Sequence, residues 1–176
     1  ATLFEAVYGH FLVEHRLLFL KENHAHKQAA FLLHHFPDLK FVFQVRDPRD
    51  YLASLRARRT GWLGNKYGST RHALEVWRDD QLGGLNLLGH LGPERVFVHR
   101  YEDLIADPEQ VLVPLCQFLG LIYDPAMLEF HNREAVRRTA RAGSPRENLA
   151  RPVMQDNANK YRNNLSTWQI RVVEHY

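Results

Sequence analysis

Apolar and polar positions alternate between two periods along the chain, and the changes of period mark the elements. Residues 3–15 mix both kinds at roughly helical spacing. Leu17 to Leu20 form a short continuous apolar run that ends on Lys21, which predicts a buried strand. Residues 26–36 predict a helix, because Ala29, Leu32, Leu33 and Phe36 recur at three- and four-residue steps. After the Pro37-Asp38 turn, Phe41 to Val45 is apolar almost without interruption, as expected of a strand covered on both faces.

Asp47-Pro48-Arg49-Asp50 then carries helix-start chemistry. Aspartate can cap, proline suits the first helical position, and Asp50 sits where a capping box has its acid. Residues 60–69 hold three glycines and predict a loop, and a long helix follows to about His90, weakened by Gly83-Gly84. Gly92-Pro93 turns into a strand over Val96 to His99. Asp107-Pro108 repeats the cap-and-proline start for a helix that Pro114 should kink. Strands separated by helices require crossover connections and therefore a mostly parallel sheet. Ligands of such sheets bind beyond the carboxyl ends of the strands, where Lys21, Arg46 and Arg100-Tyr101 fall.

Composition narrows the class. The 176 residues, 45% apolar, suit one α/β domain over 1–176 with a substantial core. A net charge of +3 is too small for the dense basic stripe of a duplex-coating protein, so no nucleic-acid partner is expected. The basic residues are mostly arginine, whose planar fork suits phosphate and sulfate. The single cysteine, Cys116, allows no internal disulfide, and with no signal-peptide pattern or membrane-length apolar run the expected location is cytoplasmic.

Candidate chemistry concentrates after the strand at 41–45. Arg46 ends it, Ser54 lies eight residues on, and Arg58 one further helical turn along the same face. Two guanidinium forks and a hydroxyl could converge on one anion, each charged hydrogen bond contributing about 1.5–3 kcal/mol. The same residues also fit a well-capped helix with a solvated arginine face.

The stretch FPDLKFVFQVRDPRDYLASL resembles the 3′-phosphate-binding segment of sulfotransferases that use 3′-phosphoadenosine 5′-phosphosulfate (PAPS) and release 3′,5′-adenosine bisphosphate (PAP). Val96 to Phe130 is similar to that family's strand–YEDL–helix unit. The resemblance runs from about Leu20 to the end, and within it the tyrosylprotein branch is similar in carrying an arginine where Arg58 stands. It implies a P-loop NTPase-like three-layer fold with a mostly parallel central sheet, and sulfuryl transfer from PAPS to a hydroxyl or amine by in-line displacement. It implies Arg46, Ser54 and Arg58 at the 3′-phosphate, Tyr101 near the adenosine, and Lys160 and Ser144 in a late loop over the nucleotide. Ser144 equally fits a surface loop. Lys21 would stabilise the sulfuryl group in flight, although Asn23 stands where relatives carry proline. His24 is the candidate general base. No metal is expected, since the histidines lack closed ligand spacing and no cysteine pair supports them.

The family's opening strand and glycine/serine-rich phosphosulfate loop are not visible, so the expectation is the carboxyl-terminal portion of a larger domain. A binding remnant without turnover is the alternative. A nucleotide-dependent kinase is a further one, although no Walker-type glycine–lysine motif is seen. The acceptor could be a small molecule, a carbohydrate or a peptide, its specificity lying in residues 60–72 and 131–150.

Overall fold

The computed structural model describes residues 19–22, 24–57, 69–141 and 146–176. A 3₁₀ turn, Ala25–Gln28, leads into α1 (Ala29–His35), β1 (Phe41–Val45) and α2 (Pro48–Ala57). The long α3 (Thr70–Leu91) precedes β2 (Val96–Arg100), α4 (Tyr101–Ala106) and α5 (Pro108–Leu119). A 3₁₀ stretch, Pro125–Asn132, and α6 (Glu134–Ala140) follow. The chain closes through 3₁₀ turns at Glu147–Ala150 and Gln155–Asn157, then α7 (Tyr161–Asn164) and α8 (Thr167–Glu174).

β1 and β2 pair in parallel, from Phe41 opposite Val96 to Val45 opposite Arg100. Side chains alternate across the sheet. Val96 and Val98 join Ala29, Phe41, Leu87 and Leu88 in a core under α1 and α3. Phe97 points the other way and meets Phe118 of α5 at 5.5 Å between ring centroids. Helices therefore cover both faces, which makes three layers and explains the unbroken apolar run of β1. A second core joins Leu52 and Ala53 of α2, Leu74 of α3, Tyr161, Leu165 and Val173.

The two cap-and-proline starts form as expected. Asp47 Oδ1 accepts the Arg49 N–H at 2.7 Å, and Asp107 Oδ1 accepts the Gln110 N–H at 3.2 Å. α5 runs unbroken through Pro114. Gly83-Gly84 do not interrupt α3, and they let neighbours approach. A Cβ on Gly83 would sit 2.2 Å from the His26 ring, and one on Gly84 2.4 Å from the Phe43 ring.

Three expectations are corrected. Phe19 and Leu20 are exposed and not in a strand, while residues 17–18 lie outside the described residues. A continuous apolar run becomes a strand only where a ladder partner exists, and neither described strand pairs with it. Asp50 closes no capping box, because its carboxylate bonds the distant Asn159 and Tyr161 instead. The carboxyl-terminal stretch is not all loop. Ser166 and Gln169 form the capping box of α8, with the Ser166 N–H donating to Gln169 Oε1 at 2.8 Å. The predicted loop at 60–69 lies, but for Ser69, outside the described residues. Among the described residues no helix is long and apolar enough to cross a membrane.

Candidate active site

The parallel register brings Arg46 and Tyr101, the residues just after β1 and β2, to the same edge of the sheet. There the Arg46 guanidinium lies over the Tyr101 ring, 4.7 Å from its centroid. The Arg46 carbonyl accepts the Trp77 Nε1–H of α3 at 3.0 Å. The next residue ties the two strand ends together, for the Asp47 N–H donates to Glu102 Oε1 at 2.9 Å. Glu102 thus braces the junction, with Arg100 Nε 3.8 Å from its other oxygen. The backbone and guanidinium of the strand-end arginine are held by α3 and α4, yet its Nε is buried with no hydrogen-bond partner among the described residues. A buried charged N–H left unpaired is costly and calls for an acceptor.

That arginine faces a cavity of about 730 Å³, lined by Arg46, Asp50 and Ser54 on one side and Tyr101 and Lys160 on others. Its remaining wall is largely apolar, with Leu112 of α5 and Met127 and Phe130 of the 3₁₀ stretch. Four predicted site residues, Arg46, Ser54, Tyr101 and Lys160, therefore share one chamber. Arg58 and Ser144 lie outside the described residues. Lys21 is exposed, and neither it nor His24 lines the chamber. His24 instead bonds Asp80 of α3 through Nδ1, from a left-handed backbone conformation at φ 62°.

The sequence reading missed the groups that fold the late segment over the chamber. Asn157 Nδ2 donates to the Tyr101 hydroxyl. Asp50, 2% exposed, accepts the Asn159 N–H at 2.6 Å and the Tyr161 N–H at 2.9 Å. Beside it, Arg49 pairs with Asp47 at 2.7 Å and Glu174 at 2.9 Å and lies over the Tyr161 ring at 4.3 Å. Burial opposes the Asp47 charge, but the Arg49 guanidinium and the N–H groups of Arg49 and Asp50 outweigh it and hold the carboxyl below its usual range. The signal in the sequence was an acid at the third helical position, which local reasoning assigns to a cap. Among the described residues no cluster of histidine, cysteine or carboxylate side chains could hold a metal ion.

A parallel sheet flanked by helices, with a chamber beyond its strand ends where such sheets bind their ligands, defines the class as an open α/β protein. The chain belongs to the sulfotransferase family, whose sequence profile, described as "Sulfotransferase family", matches residues 1–125. A protein-tyrosine sulfotransferase of Drosophila melanogaster is 26% identical over 112 residues, 64% of this chain and 22% of that protein. Protein-tyrosine sulfotransferase 2 of Gallus gallus is 27% identical over 121 residues, 69% of this chain and 32% of that protein. The match thus spans a third or less of these relatives' own length. Among solved structures, the sulfotransferase domain from the curacin biosynthetic pathway superposes with a TM-score of 0.69 at 25% identity, over 97% of this chain and 66% of that one. The sulfotransferase domain from the Synechococcus PCC 7002 olefin synthase gives 0.58 at 26%, over 77% and 48%. The fold is accordingly the P-loop-like α/β fold of sulfotransferase domains.

Proposed function

We propose that this chain takes part in sulfuryl transfer from PAPS to a hydroxyl or amine acceptor, and that the chamber at the strand ends holds the donor's nucleotide. The observation that carries the reading is the buried Arg46 Nε, unpartnered among the described residues, beside Ser54, Tyr101 and Lys160 in one cavity. A phosphate oxygen is the acceptor such a donor set calls for, since guanidinium, hydroxyl and ammonium are its strongest side-chain partners. Arg46 and Ser54 would hold the 3′-phosphate, with Arg58 added on the resemblance alone. One face of Tyr101 is covered by Arg46 and its hydroxyl is engaged by Asn157, so the apolar wall is the surface offered to the nucleoside.

When bound, the donor supplies an activated sulfuryl group on a phosphate leaving group. The chain's own contribution at the chamber is orientation and fixed positive charge, in place before the reaction begins. For Lys21 as the group that stabilises the transferring sulfuryl, and for His24 as the base, the support is the family resemblance. Ser144 stands in the proposal on the same ground. The names of the two curated relatives favour a hydroxyl on a peptide as acceptor.

Calorimetric titration with 3′,5′-adenosine bisphosphate and with ADP tests the reading. One added charged hydrogen bond contributes about 1.5–3 kcal/mol, so the bisphosphate should bind at least about tenfold tighter. Equal weak binding of both would overturn it.

A further inference from the structure

We infer that Asp50 is a positioning residue for Lys160: its buried carboxylate holds the late segment so that the lysine stands over the same chamber as Arg46 and Ser54. The inference rests on the donor reading above and extends it to a residue outside the phosphate-binding pattern.

The Asp50 carboxylate uses one oxygen for each of two main-chain N–H groups. Oδ2 takes Asn159 at 2.6 Å and Oδ1 takes Tyr161 at 2.9 Å. Lys160 is the residue between them, so its backbone is pinned on both sides at the point where it lines the cavity. The segment has little regular structure to hold it otherwise. α7 is four residues long, the preceding 3₁₀ turn three. Asn159 at φ 60° turns the chain sharply, in a conformation asparagine tolerates better than most residues.

Asp50 and Ser54 are four residues apart on α2 and so share one face. The helix that presents the Ser54 hydroxyl therefore also fixes where Lys160 stands relative to it. Both Asp50 oxygens are engaged by N–H donors, which leaves the carboxylate directed at backbone and not at an incoming anion. Asn157 on the Tyr101 hydroxyl and Arg49 over the Tyr161 ring fasten the same segment at either end.

A double-mutant cycle read by bisphosphate affinity tests the assignment. In the unaltered chain Lys160→Ala should weaken 3′,5′-adenosine bisphosphate binding about tenfold, the scale of one charged hydrogen bond. In an Asp50→Asn background, where one N–H now meets an amide N–H, the same lysine change should cost less than about twofold. A residue that merely supports the fold would leave the two effects additive, and additivity overturns the inference. Backbone amide exchange gives a readout free of ligand and of any variant. The Asn159 and Tyr161 amides should be protected to the level of α2, and those of Ala158 and Lys160 should exchange faster. Fast exchange at 159 and 161 would overturn the clamp even if the variant does not fold. An unaltered chain that binds no bisphosphate overturns the donor reading instead, and the exchange pattern still decides whether Asp50 holds the segment.

Discussion

The guanidinium of Arg46 rests on the ring of Tyr101, 4.7 Å from its centroid, although the two residues follow different strands. The contact exists because β1 and β2 pair in parallel with Val45 opposite Arg100. Stacking and the neighbouring hydrogen bonds orient the fork before any ligand arrives.

Arg46→Ala should therefore weaken 3′,5′-adenosine bisphosphate binding by about a hundredfold, the scale of two charged hydrogen bonds. Arg46→Lys should recover little, since an ammonium has neither the planar fork nor the stacking surface. Titration calorimetry reads both. A lysine variant with full affinity would mean that charge alone matters there.

Asp47 both caps α2 and pairs with Arg49. Asp47→Asn should lower stability at neutral pH by about 1 kcal/mol, the usual scale of a lost cap. The folded carboxyl titrates below its ordinary 3.8, so its contribution is complete above 3.8 and is lost as pH falls through the lower folded value. Urea unfolding of both chains should show the gap at neutral pH and its closure in acid.

His26 and His99 titrate in the opposite charge sense. Burial lowers the pKa of each below 6.5, against the Asp80 carboxylate for His26 and the Arg100 carbonyl for His99. The unfolded chain then takes up protons first, so stability is full above 6.5 and declines as pH falls below it. The urea midpoint should drop between about pH 7.5 and about pH 5.5, and His99→Gln should shrink the drop.

The glycines of α3 separate packing from propensity. Gly84→Ala drives a methyl into the Phe43 ring, 2.4 Å away, and should destabilise by about 1–3 kcal/mol despite the better helix former. At Gly89 a Cβ meets nothing within 4 Å, so Gly89→Ala should stabilise by about 0.5–1 kcal/mol. Thermal melts of the two variants should move in opposite directions.

Much of this protein was legible in the sequence because the relevant forces act over a few residues. The Phe41–Val45 strand, the Asp47-Pro48 and Asp107-Pro108 helix starts, and the strand entered from Gly92-Pro93 all depend on local periodicity and backbone chemistry. The spacing that carries Arg46 and Ser54 into one chamber is likewise local, since a single strand–turn–helix unit sets it.

Only the tertiary structure decided what meets across the chain. Asp50 reaches partners 109 and 111 positions away, Tyr101 meets Asn157, and His24 is taken up by Asp80. In one dimension Asp50 looks like an ordinary cap residue and Phe19-Leu20 like the end of a strand. A carboxylate bonds whichever N–H groups folding brings to it, and an apolar run becomes a strand only beside a free ladder edge. Neither condition is written in the spacing of neighbouring residues, and for that reason the clamp over the chamber emerged only in three dimensions.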